Sequence, residues 1–190
     1  MTLGVWSEVG RLQRVLVHRP GKELNRLTPS NRDELLFDDI LWLEKAREDH
    51  DTFTAILSAE NAEVVYLADL LAETLDIEAA RKWLLAETIN ERHFGVSLSE
   101  GLRQYLDTQE SSRLAQILLC GLTRQEIEEQ LGKVSSVVLA RVSVEDLVLG
   151  ALPNHLFTRA TSAWIGGGVM LSAMKKTARR RETLNLQAIY

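Results

Sequence analysis

The chain has 190 residues, a formal net charge of −5, 45% hydrophobic and 26% charged residues, ordinary values for one sizeable core or a core plus a small helical domain. The acidic balance speaks against a general nucleic-acid binder, no apolar run reaches the length of a membrane span, and one cysteine excludes an internal disulfide. One cysteine and four scattered histidines give no dedicated zinc site. The opening MTLGVWSEVGRLQ has no basic-then-apolar signal pattern, so a cytoplasmic location is expected.

The run RVLVHRPG, Arg14 to Gly21, reads as a buried strand closed by a Pro-Gly turn. In TPSNRDELLF, Thr28 or Ser30 is placed to cap a helix whose first turn carries Asp33 and Glu34. From Ile40 to about Ala59, Ile40, Leu43, Ala46, Phe53, Ile56 and Leu57 recur at helical spacing, with Glu44, Lys45, Arg47, Glu48 and Asp49 largely off that stripe. AEVVYLADL is a second strand, and strand, helix and strand at this spacing predict an α/β unit.

Between about Leu71 and Leu147 there is no proline, and short helical patterns follow one another, each opening on Asp, Ser or Thr. TRQE at Thr123 to Glu126 has the form of a capping box, as does SVED at Ser143 to Asp146 with Asp in place of Glu. This is a bundle of short helices, inserted in or appended to the α/β part. A strand-like HLFTRATSAWI then returns, and KKTARRRETLNLQAIY predicts a last helix with Thr177 near its start. The implied division is 1–70, 71–148 and 149–190. Few strands for a closed sheet leave edges and apolar faces for a partner or for further chain to cover.

Several residues invite a chemical reading. Cys120 in ILLCGL lies on an apolar helical face without a basic neighbour, which makes it a structural thiol rather than a nucleophile. His18 ends the first strand with no partner carboxylate in view and is read as structural; His50 and His93 lie on helix surfaces, and His155 points into a site or away from it. Asp38 and Asp39 suit acid–base work, but charging the start of the Ile40 helix is the preferred reading. The cluster Lys175 to Arg181 suits phosphates, an acidic surface or solvent, or sends one arginine inward to a ligand carboxylate. Gly166 to Gly168 lacks the spacing of a phosphate loop and marks a hairpin turn.

GVWSEVGRLQRVLVHRPGKELNRLTPSNRDELLFDDILW resembles the opening of bacterial arginine deiminases, and LPNHLFTR, AWIGGGV and ARRRETLNLQAIY resemble later blocks of that family in the same order. The resemblance implies α/β architecture, a part of a pentein-type propeller of about one to two blades, carrying an inserted helical bundle. It implies hydrolysis of L-arginine to L-citrulline and ammonia in arginine catabolism, a reaction on the C–N bond of an amidine, without metal or organic cofactor. In the family a cysteine attacks the guanidinium carbon, a histidine shuttles protons, carboxylates clamp the guanidinium, and arginines and an asparagine hold the amino-acid end.

Four residues match family positions that line the substrate pocket: Asn154 the asparagine, Phe157 the pocket aromatic, Arg179 the arginine meeting the substrate carboxylate, and Leu36 an apolar loop residue at the mouth. Two departures follow. The family reads FTRD, and its clamping aspartate is Ala160 here, a loss of about 3–5 kcal/mol for a buried pair. The family's histidine and nucleophilic cysteine lie in its C-terminal half, and Cys120 does not align with the nucleophile. The expectation is a deiminase-family polypeptide inactive alone. The alternatives are a non-catalytic module that binds arginine, a complementing chain or itself, and a protein acting through the basic helix.

Overall fold

The computed structural model describes residues 3–190. The first strand forms as β1 (Arg14–Val17), and a 3-10 turn follows at Leu24–Arg26. No helix follows Thr28. Residues 28–36 form a run of turns, because short polar side chains there bond locally and compete with the helical ladder. The Asn31 side chain accepts from the Thr28 N–H at 2.8 Å and donates to the Arg26 carbonyl at 2.8 Å, while the Thr28 and Ser30 hydroxyls bond each other at 2.9 Å. The expected cap is thus spent on a turn, which ends with Leu36 in the left-handed region at φ 65°.

The amphipathic stretch forms α1 (Leu43–Ala59), beginning three residues later than its pattern suggests. Asp38 and Asp39 therefore precede the helix and do not cap it. The Asp38 carbonyl accepts from Arg32 at 2.7 Å, and the Asp39 carboxylate accepts from the Ile40 N–H at 2.7 Å. At its other end α1 stops in a Schellman motif, with Asn61 at φ 62° and the Ala62 N–H bonded to the Leu57 carbonyl at 3.0 Å. That reversal feeds β2 (Glu63–Tyr66), which pairs parallel to β1 with Arg14 opposite Glu63 and Val17 opposite Tyr66. The predicted α/β unit is present, but its second strand is shorter than expected: it ends at Tyr66, and Leu67–Leu70 are already helical.

Seven helices and one short ladder follow: α2 (Leu67–Leu75), α3 (Glu78–Thr88), α4 (Glu91–Phe94), α5 (Val96–Asp107), α6 (Ser111–Cys120), β3 (Leu122–Thr123), α7 (Arg124–Leu131), α8 (Val137–Ala140) and β4 (Leu147–Leu149), antiparallel to β3. The capping box at Thr123 is complete, its hydroxyl accepting from the Glu126 N–H and its N–H donating to the Glu126 carboxylate. Asn90 and Ser136 cap α4 and α8, but Ile77, Gly95 and Glu110 open α3, α5 and α6 without a side-chain bond. SVED forms a turn rather than a helix, since β4 begins one residue after Asp146; the Asp146 carboxylate accepts from the Ser143 N–H at 2.9 Å. Leu71, Leu84, Leu102, Leu106, Leu114 and Leu118 are fully buried in one core, each contributing about 1.5–3 kcal/mol through burial.

The expected strand from His155 starts only at Ser162. Pro153–Leu156 is a 3-10 turn with proline at its first position, and α9 (Thr158–Thr161) is a single helical turn. β5 (Ser162–Ile165) and β6 (Gly168–Leu171) then form a hairpin whose two-residue loop has positive φ at Gly166, the pattern of a type II′ turn. After a 3-10 turn at Thr177–Arg179, α10 (Arg180–Ile189) packs on α2 and α3, with Leu186 entering the common core. The architecture is mixed α and β. Among the described residues the strands form three separate two-stranded sheets, not a closed ring. No helix is long and apolar enough to cross a membrane among them.

Candidate functional site

Three loops meet at the start of α10. β1 carries the chain into the turn that ends at Leu36, β4 leads into the 3-10 turn at Pro153–Leu156, and β6 leads to Arg179. Asn154 ties the first two together: its buried side-chain amide donates to the Leu35 carbonyl at 2.7 Å. Arg179 ties the third to the second. Its Nη2 approaches the Asn154 carbonyl at 3.4 Å, and its guanidinium carbon lies 5.9 Å from the centre of the half-exposed Phe157 ring, within cation–π range. Asn154, Phe157, Arg179 and the Leu35–Leu36 turn therefore converge from positions far apart in the chain. The cluster lies outside the shallow concavities lined by Arg11, Leu57 and Asn61 and by Arg124, Ser136 and Leu139.

Arg179 is not free. Glu182, one helical turn on, receives Nε at 3.1 Å on each carboxylate oxygen and Nη2 at 2.8 Å. The Glu182 side chain is 0% exposed and that of Arg179 13%. Burial pushes the Glu182 carboxyl above the usual carboxylate range, and the Arg179 hydrogen bond and charge oppose it only in part. Glu182 carries no motif of its own; the signal that points to it is the three-residue spacing from Arg179 across the first turn of a helix.

A second buried group lies behind the loops. His18, the residue after β1, has Nε2 3.0 Å from Glu23 Oε1, and the same oxygen accepts from the Gly21 N–H at 2.6 Å. The partner carboxylate that His18 lacked in the sequence pattern is thus five residues downstream. Burial alone would raise the Glu23 carboxyl, but the hydrogen bond and charge of His18 and the Gly21 N–H hold it below the ordinary value. His155 stacks obliquely beside His18, ring centres 5.8 Å apart, and its Nε2 lies 3.0 Å from the Asn185 amide nitrogen. His155 points inward, and burial, followed by the charges of His18, Arg181 and Arg179, drives it well below the ordinary histidine value.

Cys120 points its thiol at Glu23, Sγ 3.8 Å from Oε2. Burial, and after it the Glu23 charge, push the thiol up to about 11. A thiol protonated at neutral pH is not a nucleophile. Among the described residues no group of three or more His, Cys, Asp and Glu is placed to hold a metal ion.

The basic cluster splits. Lys175, Lys176 and Arg180 are exposed, whereas Arg179 turns to Glu182 and Arg181 donates to the Gly150 and Leu118 carbonyls at 2.6 and 2.8 Å. Burial pulls Arg181 down to about 10, still charged at neutral pH. Ala160 lies exposed in α9; its neighbour Arg159 pairs with Glu8 at 2.6 Å.

The loops thus bring together a cation with a buried counter-ion, an aromatic face beside it and an amide-fixed turn. The family model for arginine deiminase matches residues 33–190, a span that holds Leu36, Asn154, Phe157 and Arg179 together, and this chain belongs to the arginine deiminase family.

Proposed function

We propose that this polypeptide supplies the amino-acid-binding side of an arginine deiminase site, for the hydrolysis of L-arginine to L-citrulline and ammonia. Arg179 meets the substrate carboxylate, Asn154 fixes the loop that carries Leu36 at the mouth, and Phe157 lines the pocket beside the alkyl chain. The observation that carries this reading is the convergence of Arg179, Asn154 and Phe157 on one point within a matched span of the family. On the same reading β1–β2 and β5–β6 belong to a pentein-type propeller, and residues 71–148 are an insert between segments 1–70 and 149–190.

The 190-residue chain by itself holds arginine weakly and leaves it intact. Its one cysteine is a half-buried thiol kept protonated at neutral pH by desolvation and by the Glu23 carboxylate beside it, effects that outweigh the charges of Arg26 and Lys22, whereas a nucleophile needs the thiolate. On this reading Cys120 is not the attacking sulfur. A citrulline assay on purified protein tests this: no product above background is expected, and turnover that disappears in Cys120→Ser refutes it.

A second reading has its own support. Val9 is 96% exposed and Trp6 85%, and Phe53, Ile56, Ile165 and Met170 also face solvent. Exposed apolar side chains of this kind fit a non-catalytic module that pairs with a complementing chain or with itself. Light scattering over a concentration series discriminates, since a strict monomer at all concentrations removes self-pairing.

A further inference from the structure

The free edges of the Arg179 guanidinium set what this site can recognise. A guanidinium offers a carboxylate two paired edges, the side formed by Nε and Nη2 and the end formed by Nη1 and Nη2. Glu182 occupies the side edge with three contacts of 2.8–3.1 Å. The second Nη2 hydrogen has only the Asn154 carbonyl, at a long 3.4 Å. Nη1 bonds no described residue and is not among the buried atoms left without a partner, so solvent reaches it. The Phe157 ring lies beside the guanidinium carbon and narrows the approach further.

We propose that Glu182 is the positioning residue of the carboxylate-binding point, holding Arg179 by its Nε–Nη2 edge so that a ligand carboxylate meets only the Nη1–Nη2 end. This rests on the reading of Arg179 as the residue that meets the amino-acid carboxylate, and it adds the group that aims it. A flexible arginine side chain loses rotamer entropy when it binds; one already fixed by a buried carboxylate has lost most of it before the ligand arrives. Glu182 also offsets much of the arginine's charge, so the point selects by geometry and grips weakly. Arg181 does not compete for that role, because its two Nη groups are committed to backbone carbonyls.

The test uses two probes that differ only at the carboxylate, L-arginine and agmatine, titrated by NMR against the 190-residue chain and two variants. The unaltered protein is expected to bind L-arginine more tightly than agmatine. Glu182→Asp keeps the charge but shortens the reach; L-arginine binding should fall about tenfold, the loss of one well-aligned charge-assisted bond, while agmatine binding stays unchanged. An equal fall for both probes would show a purely structural Glu182 and overturn the proposal alone. Equal binding of both probes by the unaltered protein, or no binding of either, removes Arg179 as the recognition point and the proposal with it. Should Glu182→Asp fail to fold, the isosteric Glu182→Gln carries the test. The side-chain order at Arg179 Nε, read by 15N relaxation, is then expected to drop, and an Nε as ordered as before would overturn the proposal.

Discussion

Restoring an aspartate at residue 160 is the sharpest measure of what the site has lost. If that carboxylate were buried against a guanidinium, its absence would weaken binding by about 3–5 kcal/mol, and Ala160→Asp would return about a hundredfold or more in L-arginine affinity. The structure points to a much smaller value. Ala160 is exposed, in a single helical turn that also exposes Arg159. A carboxylate there stays in water, where a pair contributes about 0.2–1 kcal/mol, no more than about a fivefold gain. The neighbouring Arg159 is already committed to Glu8 at 2.6 Å, so it would compete little for the new charge. Calorimetric titration of the parent and Ala160→Asp chains with L-arginine, and with L-norleucine as a ligand lacking the guanidinium, reads the effect. L-arginine binding should improve less than about fivefold and L-norleucine binding not at all. A gain of a hundredfold for L-arginine alone would refute the reasoning, because it would require the guanidinium end to be dry in this chain.

Asn154→Ala removes the amide that holds the Leu35 carbonyl at 2.7 Å; a loss of about 1–3 kcal/mol is expected in urea denaturation, with faster amide exchange around Leu36. His155 titrates below its ordinary value of 6.5, so the unfolded chain takes up a proton first: stability is full above 6.5 and is lost as pH falls below it, and His155→Gln should flatten that part of the pH–stability curve. Cys120, pushed from 9.0 to about 11, should alkylate with iodoacetamide about a hundredfold more slowly at pH 8 than the same thiol in urea; equal rates would contradict the half-buried Cys120–Glu23 contact.

What the sequence discloses most clearly is local. β1, the start of β2, the capping box at Thr123 and the Gly166 turn were legible because each is decided by neighbours a few residues apart: a short β-branched run, a hydroxyl and a carboxylate three apart, a backbone that needs positive φ. The helix expected after Thr28 failed locally as well, since the Asn31 side chain offered that backbone nearer partners than a helical ladder does and Ser30 took up the Thr28 hydroxyl. The strand expected from His155 gives way to a 3-10 turn led by Pro153, with the imidazole buried against Asn185 of α10, thirty positions away. In the site, family likeness points to Leu36, Asn154, Phe157 and Arg179, but the carboxylates beside Arg179 and His18, only three and five residues along the chain, carry no motif that sets them apart from other acidic neighbours. Ala160 shows the converse limit. Its identity is plain in the sequence, yet the value of the missing aspartate depends on how much water stands at that position, a property of the folded surface alone.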